Sequence, residues 1–135
     1  MTSLRRSVDI DAAASAVWDA VRDFGQLHTR IAPGLVTDTK LEDGGTSRTV
    51  TFANGMVLKE ALVGVEDDQQ RLVWSAQSDD WHHHNASLQV IDLGGGQSRT
   101  TWVADVLPEA AAPMIAMIME MGLGAMKAHL ESETN

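Results

Sequence analysis

The sequence predicts an α+β fold in which a curved antiparallel sheet of six or seven strands wraps a long C-terminal helix. Residues 46–106 read as strands joined by short turns, and the Met-rich segment 113–131 that follows has helical spacing. Within the strands, Glu60, His82 and His84 stand at positions whose same-face neighbours are apolar. A sheet that turns ionisable side chains inward is typical of a protein with a cavity between sheet and helix.

The first elements are one strand and two short helices. Residues 4–10 alternate apolar and polar side chains, which predicts a strand. Val17 and Phe24 share one face at helical spacing, and Gly25 ends that helix. Residues 26–31 predict a second short helix, because a Pro-Gly pair follows two residues later.

The middle of the chain predicts consecutive antiparallel strands. Asn54-Gly55 is the strongest hairpin signal, since both residues tolerate the positive φ angles of a tight turn. Clusters of Asp, Gln and Gly separate the other runs. The predicted strands are residues 35–42, 47–53, 56–66, 71–77, 83–93 and 97–107.

The final helix has an apolar stripe that includes Met119 and Leu123. Gly122 and Gly124 lie in its middle, where each costs up to about 1 kcal/mol relative to alanine. Such glycines are acceptable where a neighbour or a ligand must approach the helix closely. Met114, Met117 and Met121 cannot share the stripe of Met119, and this predicts that some methionines face solvent, a pocket mouth or a second subunit of a homodimer.

Length and composition limit the classes of function. The chain has 135 residues, 44% of them hydrophobic, which predicts one globular domain over residues 1–135. Its formal net charge of −9 argues against nucleic-acid binding and against docking on anionic membranes. It has no cysteine, which excludes disulfides, thiolate nucleophiles and cysteine-based metal sites.

The sequence also predicts a soluble, cytoplasmic protein without membrane insertion. No apolar segment follows the arginines near the N-terminus, as a signal peptide would require. The longest apolar run, residues 114–126, contains Glu120 and is shorter than the ~20 residues needed to cross a bilayer.

The order of these elements, with the residues that fill it, resembles the SRPBCC superfamily of START-like, helix-grip proteins. These proteins are related to the birch-pollen allergen and to plant abscisic-acid receptors, and the likeness is greatest to the polyketide cyclase/dehydrase and lipid-transport branch. It covers nearly the whole chain. The segments that carry it are Ile10-Asp11-Ala12, Val17-Trp18, Asp23-Phe24-Gly25, Gly45, Arg48-Thr49-Val50, Asn54-Gly55, Glu60-Ala61-Leu62, Asp67-Asp68, Arg71-Leu72, Gly122-Leu123 and Met126-Lys127.

The resemblance implies an apolar cavity between the sheet and the last helix. In the hormone-receptor relatives an acidic residue at the Glu60 position faces this cavity. His84 falls where many relatives have a pocket tyrosine, which gives this chain a pocket polarity of its own. The superfamily includes binders, transporters and cyclases, and membership alone does not select among them.

Two interpretations of Glu60 are compatible with the pattern. It can be a pocket carboxyl that binds a ligand or exchanges a proton with it, the partner of Arg48 in a salt bridge across the hairpin, or both, since the two roles are compatible. His82 and His84 are expected to share the cavity face, because alternate strand residues point the same way. Two histidines are too few for a metal site, so neither a metal nor a cofactor is predicted. Trp81 is predicted to form part of a lid over the pocket.

The predicted function is binding of a small hydrophobic molecule, lipid-like or polyketide-like. The alternative is an enzyme of the polyketide cyclase or dehydratase type that uses Glu60 and His84 as acid and base. The predicted ligand-binding residues are Arg48, Glu60, Trp74, His82, His84, Trp102, Met119 and Leu123.

Overall fold

The structure, a computed structural model, describes residues 2–133 and consists of seven strands and two α-helices. A single π-helical turn and two short 3-10 turns complete it. The strands are β1 (Thr2–Ile10), β2 (Val36–Glu42), β3 (Ser47–Phe52), β4 (Val57–Glu66), β5 (Arg71–Gln77), β6 (His83–Gly94) and β7 (Gln97–Leu107). The helices are α1 (Ala14–Val21) and α2 (Ala112–Glu133), the π-helical turn is Leu27–Ile31, and the 3-10 turns are Asp43–Gly45 and Glu109–Ala111.

All seven strands form one antiparallel sheet in the order β1-β7-β6-β5-β4-β3-β2. β2 to β7 follow one another as a meander, while β1 pairs with β7 at the far edge. α1 and the π-helical turn therefore carry the chain from one edge of the sheet to the other. The predicted sheet, the long C-terminal helix and the order of elements are confirmed.

The core lies between one face of the sheet and α2. Along β6 the residues on the inner face of the sheet are buried and alternate with more exposed ones, as the sequence pattern predicts. Register shifts interrupt the pairing within β2, β4 and β6, and bulges of this kind bend strands so that a sheet can wrap a helix. The residues that α2 buries are Ala112, Ile115, Met119, Leu123, Met126 and Leu130.

Arg6 is a charged residue on the otherwise apolar inner face of β1, and its contact with α2 explains how the fold tolerates it. Arg6 lies between Leu4 and Val8 on that face, and its Nε donates a hydrogen bond of 3.2 Å to Glu120 of α2. The long aliphatic part of an arginine can cover apolar surface while its head reaches the solvent-exposed edge. Arg6 therefore ties β1 to α2 without placing a charge in the core.

The segment Glu109–Glu133, which contains α2, is long and apolar enough to cross a membrane by length and composition alone. The sequence alone predicts no membrane-spanning segment here, because Glu120 interrupts the apolar run of residues 114–126. A helix in the core of a soluble protein passes the same test, and α2 packs Ile115 and Met119 fully buried against the sheet.

Candidate ligand-binding cavity

A cavity of about 60 Å3 lies between the inner face of the sheet, the π-helical turn and α2. Most of its lining is apolar, and its polar side chains come from β3, β4, β6 and β7. Six of the residues predicted to bind ligand line it. They are Arg48, Glu60, Trp74, His84, Trp102 and Leu123.

Arg48 and Glu60 form a buried ion pair. They lie directly opposite each other on β3 and β4, and both are almost fully buried. Oε1 of Glu60 is 2.7 Å from Nη2 of Arg48 and accepts a hydrogen bond of 2.8 Å from its Nε. The guanidinium also donates to the carbonyl oxygen of Phe24 at 3.1 Å and stacks 3.9 Å from the centre of the Phe24 ring. The salt-bridge interpretation of Glu60 is thus correct, and the two charges neutralise each other inside the cavity wall.

His84 is a buried histidine without a hydrogen-bond partner. Its side chain is 6% exposed and packs edge-on against the Trp81 ring, with the ring centres 5.1 Å apart. Neither Nδ1 nor Nε2 has a hydrogen-bond partner among residues 2–133. Burial, and to a smaller extent the nearby His83, lowers the pKa of His84 to about 4. The imidazole is therefore neutral at pH 7.

Trp102 brings a second unpaired polar atom to the cavity. Its ring meets Trp74 edge-on at 5.6 Å, which fixes the orientation of both tryptophans. The Nε1 atom of Trp102 is buried and has no acceptor in the described part of the chain. A Cβ atom built on Gly122 would lie 2.8 Å from Cζ3 of Trp102, whereas one on Gly124 meets nothing within 4 Å. Gly122 thus allows α2 to approach the tryptophan closely, as the sequence suggested for one of these glycines.

We expect Gly122→Ala to lower the free energy of unfolding by about 1–2 kcal/mol. Overpacking a filled site costs ~1–3 kcal/mol, and the higher helix propensity of alanine returns up to ~1 kcal/mol. Gly124→Ala is the matched control, two residues further along α2 at an exposed position, and it should stabilise the protein by up to ~1 kcal/mol. Urea denaturation of both variants measures the difference. Equal stabilisation by the two changes would mean that the Trp102 ring moves aside to accept the new methyl group at no cost in free energy.

Glu60 and His84 face the cavity from strands that are not neighbours. Glu60 pairs with Ala76 of β5, and the adjacent Ser75 pairs with Asn85 of β6. Because adjacent strands lie ~4.8 Å apart, the backbones of β4 and β6 are about 10 Å apart here. Ala76 stands between them with a small side chain. A ligand that contacts both polar groups therefore has to span the width of β5.

The structure places three of the predicted residues outside the cavity lining. His82 is exposed and does not line the cavity, because β6 begins at His83 and strand alternation does not extend back to it. Met119 is fully buried in the core but is not part of the cavity lining. Trp81 is no lid: it is 6% exposed, and its Nε1 donates a hydrogen bond of 2.8 Å to the Ala76 carbonyl.

Among residues 2–133 no group of three or more His, Cys, Asp or Glu side chains is arranged to hold a metal ion.

The sequence did not identify the lining from the π-helical turn and the loop after it. Leu27, Ile31, Ala32 and Leu35 all face the cavity. The available signal was the apolar pair Leu27 and Ile31, four residues apart in a short helical segment just before the Pro-Gly turn. That signal predicts burial, but it does not separate a cavity wall from ordinary core.

An apolar groove on the surface adjoins the cavity. It has a volume of about 240 Å3, and Leu35, Phe52 and Ile118 line both spaces. The exposed methionines of α2 form one of its walls, which places them at a pocket mouth, one of the positions predicted for them. The other lining residues are Ala53, Asn54, Met56, Met114, Met117 and Met121.

The family model for polyketide cyclase / dehydrase and lipid transport proteins matches residues 1–131. The chain belongs to this family. No curated protein matches it at a level that indicates homology.

Solved structures agree with the family in fold. XoxI from Bacillus cereus is 22% identical with a TM-score of 0.86, and the match covers 98% of this chain and 99% of XoxI. Norcoclaurine synthase from Thalictrum flavum, solved with dopamine and hydroxybenzaldehyde, is 18% identical with a TM-score of 0.72, covering 98% of this chain and 86% of the synthase. The di-domain ARO/CYC protein BexL of the BE-7585A biosynthetic pathway is 13% identical with a TM-score of 0.86, and this whole chain spans 48% of it. Likenesses at these identities establish the helix-grip, START-like fold and not the ligand.

Proposed function

We propose that this protein binds a small hydrophobic molecule, of a polyketide-like or lipid-like kind, in the cavity between the sheet and α2. The observation that carries the proposal is the pair of unpaired polar groups in an apolar enclosure, the imidazole of His84 and the indole N–H of Trp102. A buried polar group left without a partner costs about 1–3 kcal/mol. A ligand that supplies the missing partners would recover that free energy on binding.

The volumes support a ligand that extends beyond the cavity. A water molecule occupies at least ~10–15 Å3 on this measure, so 60 Å3 corresponds to a handful of water-sized groups. A larger molecule would place one end inside and continue into the adjoining groove of about 240 Å3. Methionine side chains suit this role because they are flexible and adapt to irregular apolar shapes.

Binding is better supported than the cyclase or dehydratase alternative. Glu60 is engaged by Arg48 at 2.7 Å, which leaves its carboxylate a poor candidate for proton transfer. The lowered pKa of His84, about 4, makes the imidazole a weak base at neutral pH. An acid/base pair would also have to act on one substrate across the width of β5. Turnover of a polyketide-like substrate that is lost on His84→Phe would favour the enzyme.

A fluorescence titration with phenylnaphthylamine tests the binding proposal, since this neutral aromatic probe brightens in apolar sites. We expect saturable binding that is weakened at least about tenfold by Ile118→Trp, which obstructs the junction of cavity and groove. Ile91→Trp is the matched control, because Ile91 is 44% exposed and lies outside the cavity lining. Equal binding by both variants would place the probe elsewhere on the surface and contradict the proposal. Native mass spectrometry of the purified protein would then identify any molecule that copurifies with it.

A further inference from the structure

The cavity wall carries no net charge. Among the described lining residues the ionisable side chains are Arg48, Glu60 and His84. Arg48 and Glu60 neutralise each other at 2.7 Å, and the lowered pKa of His84 keeps its imidazole neutral at pH 7. An ionised group that entered the cavity would lose its hydration and meet no uncompensated opposite charge.

The groups that remain free in this wall are neutral hydrogen-bonding atoms. The indole Nε1 of Trp102 is a donor only, and a neutral imidazole offers one donor and one acceptor. All three nitrogens are buried without a hydrogen-bond partner among residues 2–133. An oxygen acceptor on the ligand would satisfy a donor here, and a hydroxyl would also satisfy the imidazole acceptor.

We infer that the part of the ligand that enters the cavity is uncharged and carries an oxygen acceptor, as in a ketone, a quinone or a phenol, and that the site rejects carboxylates and ammonium groups. This inference rests on the proposed binding function and specifies its ligand class. The Arg48–Glu60 pair contributes to this selectivity against charged ligands, because each side chain neutralises the charge that the other would present to a ligand.

A matched naphthalene series at neutral pH tests the inference by displacement of phenylnaphthylamine. Naphthalene has no polar group, acetonaphthone has an acceptor, naphthol is an uncharged hydroxyl compound, and naphthoate is an anion of similar shape. We expect acetonaphthone and naphthol to bind a few-fold tighter than naphthalene, because each forms a hydrogen bond in the cavity. Naphthoate should bind at least about tenfold more weakly than acetonaphthone.

Two variants connect this selectivity to named atoms. Trp102→Phe removes the N–H and keeps most of the ring, so it should weaken acetonaphthone about fivefold and leave naphthalene unchanged. Glu60→Gln leaves the Arg48 charge uncompensated, and naphthoate should then bind more tightly to the variant than to the wild-type protein. If Glu60→Gln does not fold, the naphthalene series on the wild-type protein and on Trp102→Phe still tests whether the cavity selects an uncharged group with an oxygen acceptor.

The outcomes separate this inference from the binding proposal. If naphthalene binds but naphthoate binds equally well or more tightly, the cavity takes apolar molecules and the inferred neutrality is wrong. If Trp102→Phe weakens naphthalene and acetonaphthone to the same extent, the indole N–H is not the donor and the inferred recognition is overturned. If phenylnaphthylamine binds in the cavity but no member of the series displaces it, the inferred ligand class is wrong, whereas the binding proposal fails only if the probe itself does not bind there.

Discussion

Arg48→Met is expected to lower the free energy of unfolding by about 3–5 kcal/mol, the cost of breaking a buried ion pair from one side. The side chains of Arg48 and Glu60 are only 5% and 10% exposed, so the carboxylate that remains has little access to water. The variant also loses the hydrogen bond to the Phe24 carbonyl and the stacking on the Phe24 ring. Urea denaturation at neutral pH measures the change.

Two further variants test the cause of this loss. Arg22→Met breaks an ion pair with Asp67 whose side chains are 47% and 61% exposed, and it should cost less than ~1 kcal/mol. The double variant Arg48→Met/Glu60→Gln removes both charges and should recover most of the lost stability, because a buried amide has a smaller desolvation cost than an unpaired buried carboxylate. Equal losses for Arg48→Met and Arg22→Met would contradict a buried, charge-dependent interaction.

The Asn54-Gly55 signal predicts the β3–β4 hairpin but not its register. A two-residue turn at these positions would bring Arg48 opposite Ala61, whereas the observed pairing is shifted by one residue and brings Arg48 opposite Glu60. The order of strands in the sheet was predictable, since short turns between alternating strands leave a meander as the simplest arrangement. Each strand from β2 to β7 lies within two residues of its predicted limits.

The site was harder to predict because its properties depend on packing between distant segments. Alternation assigns a residue to a face only while the strand lasts, which is why His82 was misplaced one residue before β6. Trp81 lies in the loop between β5 and β6, and it is buried where its ring packs on His84 and its Nε1 donates to the Ala76 carbonyl of β5. The volume of the cavity depends on how closely α2 approaches Trp102, which Gly122 permits but does not specify.

The cavity is also smaller than the several hundred Å3 usual for ligand sites, at about 60 Å3. The tryptophans account for part of this, since Trp74 and Trp102 meet at 5.6 Å inside the sheet's inner face. Sequence alternation identified both as inward-facing but gave no measure of the space that they fill.

Acidification is expected to lower the free energy of unfolding through His84. The pKa of His84 in the folded protein is lowered from 6.5 to about 4, so between these values the unfolded chain binds a proton that the folded protein does not. Stability therefore rises with pH across this window, and the contribution of His84 is lost as the pH falls from about 6.5 towards 4. At pH 4.5 the loss should be about 2–3 kcal/mol relative to pH 7, taking ~1.4 kcal/mol for each pKa unit.

His84→Phe isolates this effect from the other acid-sensitive groups. Several carboxylates also have a pKa lowered by ion pairs, among them Asp9 and Asp19, and they destabilise both proteins alike as the pH falls. The difference in unfolding free energy between His84→Phe and the wild-type protein should therefore shift by about 2–3 kcal/mol in favour of the variant between pH 7 and pH 4.5. His83→Gln, at the exposed neighbouring position, should show a much smaller shift. A difference that stays constant with pH would mean that His84 takes up its proton in the folded protein as readily as in the unfolded chain, and it would contradict the lowered pKa of His84.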